Sequence, residues 1–95
     1  MPKSLILIKL NLETFPTDRE EMKKVLGPMF SLTFNDLQDG KISDFGMYAG
    51  NSGGYVISNQ TPEDISRVAL QMQPYVTFEV HPVVPLDEMR KLMNI

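Results

Sequence analysis

The chain has no cysteine, a single histidine, few positive charges and no long apolar run. Without cysteine, disulfides and thiolate chemistry are excluded, and a cytoplasmic protein is the default expectation. One histidine, His81, rules out a multi-histidine metal site within one chain, and no other pattern argues for a metal. No segment approaches the roughly 20 apolar residues that span a bilayer, so no membrane partner is expected. The start "MPKSLILIKL" joins a basic residue to a short apolar run, but Lys9 interrupts that run and no small-residue cleavage site follows, so a secretory leader is not expected either. Lys and Arg number 9 against 12 Asp and Glu, a net charge of −3, and the adjacent basic pairs are Lys23-Lys24 and Arg90-Lys91. Nothing there tracks a phosphate backbone, and nucleic acid is not an expected partner.

What is present is ordinary globular composition, 42% hydrophobic and 22% charged over 95 residues, with no internal repeat, linker or low-complexity tract. One domain, residues 1–95, is expected. A chain of this size buries only about two-thirds of its unfolded surface, so burying more apolar area against a second copy would help it. "SLILIKL" (Ser4 to Leu10) reads as a strand with both faces apolar. "TDRE" then reads as a capping box, Thr17 as the cap and Glu20 reaching back. Met22, Val25, Leu26 and Met29 form a helical stripe that Gly27-Pro28 interrupts, which predicts a kink or two consecutive helices. The second piece would turn Met29, Phe30, Thr33 and Leu37 inward and end at Asp39-Gly40.

"KISDFGMYAG" and "GGYVISN" read as two strands, and "TPEDISRVALQMQP" as a helix capped by Thr61 with Ile65, Val68, Ala69 and Met72 as its stripe. "YVTFEVHPV" is a last strand and "LDEMRKLMNI" a short amphipathic tail helix. This order suits an α+β, ferredoxin-like βαββαβ sandwich: a four-stranded antiparallel sheet, order 4-1-3-2, with helices on one face and a C-terminal helix added. Pro82 agrees with an edge position for the fourth strand, since an edge tolerates a missing N–H.

Alternation assigns Ile6, Ile8, Leu10, Phe45, Met47, Ala49, Tyr55, Ile57, Phe78 and Val80 to the helix side. Leu5, Leu7, Lys9, Asp44, Tyr48, Val56, Ser58, Thr77, Glu79 and His81 are left to the other side. That second set is half apolar and half ionisable. An open surface of this kind is larger than a soluble monomer usually exposes, and two identical sheets packed face to face would cover it, leaving a cavity where polar members meet. A homodimer is therefore expected.

The stretch "YAGNSGGY" (48–55) places Gly50, Gly53 and Gly54 close together. A glycine-built phosphate cradle needs a helix directly after the loop, and here a strand follows, so these glycines are expected to be positive-φ turn residues of a hairpin. Glu79 and His81 point the same way from one strand and are the candidate proton-handling pair. With Leu10 opposite Val76 and Ser4 opposite Pro82, Lys9 falls diagonal to Glu79, a structural ion pair or an anchor for an acidic ligand. Lys9, Asp44 and Tyr48 are the candidate ligand contacts, while most tyrosines and methionines at stripe spacing are packing residues.

The hairpin "YAGNSGGYVISN", the helix opening "TPED" and the ending "YVTFEVHPVVPLDE" resemble the dimeric α/β-barrel superfamily, in particular a family of similarly short proteins within it that carries no assigned activity. The resemblance covers residues 45–88. It implies a ferredoxin-like fold, two sheets closing into a barrel and a hydrophobic cavity; wider relatives include cofactor-free monooxygenases, isomerases, heme proteins and ligand-sensing regulators, among which fold analogy does not choose. Heme would require His81 as axial ligand with nothing else to support it, so no cofactor is expected. Three functions follow: a small-molecule-binding dimer, a cofactor-independent enzyme using Glu79 or His81 on a small organic substrate, or an interaction module acting through its surface.

Overall fold

The computed structural model describes residues 3–50 and 52–95; Asn51 of the hairpin connection and the first two residues of the leader-like start lie outside them. The elements are β1 (Lys3–Leu10), α1 (Arg19–Gln38), β2 (Ile42–Met47), β3 (Gly53–Ser58), α2 (Pro62–Met72), β4 (Val76–Val83) and α3 (Leu86–Met93). The strands form one antiparallel sheet in the order β2-β3-β1-β4, which is the expected 4-1-3-2 read from its other edge. The β1–β4 register is also as expected, Leu10 opposite Val76 and Ser4 opposite Pro82, with Pro82 on an edge strand. Among the described residues no helix is long and apolar enough to cross a membrane.

One face of the sheet is covered by α1 and α2. Its core joins Ile6, Ile42, Val56 and Ile65, with Ile8, Phe45 and Phe78 packed around them. α2 supplies Ile65, Val68, Ala69 and Met72 as the periodicity requires, and Thr61 Oγ1 accepts from the Asp64 N–H at 3.2 Å to cap it. The turn between β1 and α1 is held by Phe15, buried and edge-on to Tyr75, and by Thr14 Oγ1 donating to the Pro74 carbonyl at 2.7 Å.

Several expectations need correction. α1 is a single helix of 20 residues that runs through Pro28, not two consecutive helices. Gly27 and Pro28 both lie on its exposed side, so the Lys24 carbonyl that loses its partner at Pro28 faces water, and the flanking turns outweigh the local cost of about 3 kcal/mol. Its cap is Asp18 rather than Thr17: the Glu21 N–H donates to Asp18 Oδ2 at 3.1 Å. In the second half of α1, Leu32, Thr33 and Asp36 turn inward, whereas Phe30 and Leu37 stay largely exposed, Phe30 touching Phe45 only edge-on.

The fourth correction concerns β3, whose faces are reversed. Val56 and Ser58 point to the helices, and Tyr55 and Ile57 to the open side, because Val56 lies opposite Ile6 and Ser58 opposite Ser4. Three successive apolar residues, Tyr-Val-Ile, carry no alternation to choose by. The choice falls to polar ends: the Tyr55 hydroxyl reaches Asp44 on the open side, while the fully buried Ser58 hydroxyl accepts the Gln60 N–H at 3.1 Å, starting the turn into α2. Ala49 lies beyond β2 and belongs to neither face.

The glycine stretch does turn a hairpin, closed where the Tyr48 N–H donates to the Gly53 carbonyl at 2.8 Å. Gly50 has the positive φ expected of a turn residue, 98°. Gly53 and Gly54 are instead strand residues, where a Cβ would run into the carbonyls of Ile8 and Gly46 respectively.

α3 stands apart. Asp87 and Glu88 in its first turn and Arg90 and Lys91 in its last complement the helix dipole, yet none of its residues is buried and it makes no extensive contact with the other described elements. The chain consequently measures 53 × 25 × 21 Å, with a radius of gyration of 15.0 Å against about 12 Å for a compact chain of this length.

Candidate functional site

The registers place the open-face side chains in three rows across β2, β3, β1 and β4. Tyr48, Gly53, Lys9 and Thr77 form the first; Gly46, Tyr55, Leu7 and Glu79 the second; Asp44, Ile57, Leu5 and His81 the third. Apolar groups occupy the middle and ionisable or hydroxyl groups the margins. Nothing in the described chain roofs this face, since α1 and α2 pack on the other side and α3 projects away.

One glycine shapes the surface beside Tyr55. Over Gly46 there is no side chain, and the Tyr55 ring lies there, close enough that any Cβ at 46 would collide with it. Between Tyr48 and Glu79 lies an open concavity of about 420 Å³, lined by Leu7, Lys9, Tyr48, Ser52, Thr77 and Glu79. The structure thus brings three candidate residues, Lys9, Tyr48 and Glu79, around one hollow.

The expected Lys9–Glu79 ion pair is not formed. Glu79 turns along its own strand to His81, whose Nε2–H donates to Glu79 Oε2 at 2.8 Å, and among the described residues Lys9 has no carboxylate partner. An ammonium on a long flexible stem gains little from an exposed pair and stays hydrated. The Glu79 and His81 side chains are 67% and 51% exposed, so in a single chain their hydrogen bond is weakly coupled; covering would strengthen it.

Asp44 does not join the hollow. It sits on the edge strand β2 just after a bulge, where the register shifts between Ile42 and Asp44, and both its oxygens are engaged. Oδ1 accepts from the Phe45 N–H at 2.9 Å and Oδ2 from the Tyr55 hydroxyl at 2.9 Å. That hydrogen bond to Asp44, and next the negative charge of its carboxylate, raise the Tyr55 phenol above its ordinary value of 10.0. The position is structural: Asp44 fixes the tyrosine ring that covers Gly46.

Sequence reasoning missed Ser52, Leu7 and Thr77 as parts of the hollow. The β1–β4 register carried along both strands is the signal that finds Leu7 opposite Glu79 and Thr77 opposite Lys9. No protein-family model matches the chain, and no curated protein matches it as a relative.

Proposed function

We propose that the chain is a ferredoxin-like protomer of a dimeric α/β barrel that binds a small organic molecule in the chamber between two open sheet faces. The observation that supports this most is the open face itself: Leu5, Leu7, Tyr55 and Ile57 form an uncovered apolar centre on a chain too small to leave such area wet without cost. An identical face with a closed two-fold contact covers it and brings both copies of the Lys9–Tyr48–Glu79 hollow into one enclosure. The free Lys9 ammonium favours a ligand with an acidic group, and Tyr48 with Leu7 favours an apolar or aromatic body. The unpartnered apolar stripe of the projecting α3, Leu86, Met89 and Met93, supports assembly as well.

A high-resolution map of protein purified without added ligand tests this. Density for a co-purified molecule beside Lys9 and Tyr48 is the expected result; a chamber filled by the protein's own tyrosine side chains contradicts it.

The Glu79–His81 hydrogen bond favours a second reading, a cofactor-independent enzyme in which that pair moves a proton on the bound molecule. For any substrate the chamber accepts, Glu79→Gln and His81→Asn must then reduce turnover while binding persists. Unchanged turnover in either variant removes this role.

A further inference from the structure

We propose a second site on the opposite face of the molecule: the groove between α1 and α2 binds a small organic cation, an alkylammonium, through Asp36. Both helices lie on the sheet, and between them opens a groove of about 460 Å³. An apolar recess of about 40 Å³ lies beneath it, floored by Ile6, Ile42, Val56 and Phe78. Asp36 lines both spaces, together with Leu32, Gln60 and Val68.

Asp36 is only 8% exposed, the one buried carboxylate among the described residues. No side-chain or backbone donor among them reaches its carboxylate, and it belongs to none of their ion pairs. Carboxylates in residues this deeply placed normally have a partner from the protein or from water. Yet no buried side-chain oxygen of the described chain is both sealed from solvent and unpartnered, so the Asp36 oxygens open onto the groove that the residue lines. Its position adds to the attraction for a cation: it lies in the last turn of α1, at the negative end of the helix dipole, in a turn without a basic residue. A positive group delivered from outside would satisfy both the carboxylate and the helix end.

The surroundings select among cations and against anions. Asp39 and Asp64 line the same groove, and Arg67 is already held by Asp64 at 2.9 Å, leaving Lys41 at the rim as the one cation there not so engaged among the described residues. No three carboxylate or imidazole groups among the described residues are placed to hold a metal ion, which favours an organic cation. The positive end of α2 at the same groove is already answered by Thr61 and by Glu63 and Asp64 in its first turn. The recess is small and its floor is apolar, so it takes a methyl or methylene end. The rest of an aliphatic chain lies in the outer groove against Leu32 and Val68.

The test is an amide-resolved NMR titration of the full chain with n-butylammonium, with n-butanol and butyrate as shape-matched controls. Saturable shifts are expected at Asp36, Lys41, Asn59 and Gln60 with the ammonium and not with the alcohol or the acid, while amides around Lys9 and Tyr48 stay in place. The isosteric Asp36→Asn should weaken the ammonium by about tenfold or more, since a charge-assisted hydrogen bond is lost. Leu32→Trp, which fills the groove, should also abolish the shifts. The proposal is overturned by no saturable shift with the ammonium at tens of millimolar, by equal shifts with n-butanol, or by full retention of binding in a folded Asp36→Asn. The alcohol control keeps it falsifiable on the unmodified chain.

Discussion

The two faces of one sheet differ less in how apolar they are than in where they keep their polar groups. On the covered face the strands contribute Ile6, Ile8, Phe45, Val56 and Phe78, and the polar exceptions at its end, Ser4 and Ser58, are small and buried, Ser58 bonded to backbone. On the open face the centre is just as apolar, but Lys9, Glu79, His81, Asp44 and two tyrosines stand around it. Small hydroxyls can be satisfied inside a single chain; ionisable groups need water, a ligand or a second molecule. The covered face completes the fold, while the open face leaves its ionisable groups without a cover among the described residues.

The largest effect expected on breaking that comparison is on the covered side. Ile65→Ala should cost about 2–5 kcal/mol of stability, measured by urea denaturation, because a side chain at the centre of the core leaves a cavity. Leu7→Asp on the open side should instead leave the fold intact by circular dichroism. It should weaken self-association by two orders of magnitude or more, about 3 kcal/mol, in sedimentation equilibrium. The reversed faces of β3 give a sharper contrast between neighbours. Val56→Ala should cost about 2 kcal/mol at any protein concentration, whereas the cost of Ile57→Ala should fade as the chain is diluted to its monomer.

The smallest effect is electrostatic. Tyr55 donates to an ionised Asp44, so its phenol titrates above the ordinary 10.0 in the folded state. A raised folded value means the contribution is fully present below the unfolded value and is lost as pH rises through the folded one. Ultraviolet titration in alkaline solution should show one tyrosine ionising late; Asp44→Asn should bring it back toward the ordinary value, and Tyr55→Phe should delete it.

Much of the fold was legible because its signals are local. Thr61, Pro62 and the Ile65–Met72 stripe specify α2, and the proline at 82 marks β4 as an edge strand, while the β1–β4 register was supposed and then found. What was not legible depended on competition between distant groups. The sequence Tyr55-Val56-Ile57 is apolar throughout, so the facing of β3 was decided by the Asp44 carboxylate and by Ser4, residues far away in the chain. Pro28 looked like a break, yet the turns on either side of it are anchored by Met22, Val25, Leu26 and Met29 and keep one helix. For the candidate site, Lys9, Tyr48 and Glu79 were found because they share a face, whereas Leu7 and Thr77 were passed over because neither an apolar nor a small hydroxyl side chain marks a site by itself. Asp36 escaped notice because a carboxylate near a helix end looks solvated until the packing of Leu32 and Val68 around it is known.

The most direct measurement is sedimentation equilibrium of the unmodified chain at micromolar concentration, followed by hydrogen exchange on the same sample. Twice the mass of the chain, with the β1 and β3 amides slowed relative to a Leu7→Asp monomer, is the expected result. A mass of one chain, with those amides unaffected by concentration, would show that the open face is stable in water and contradict the account.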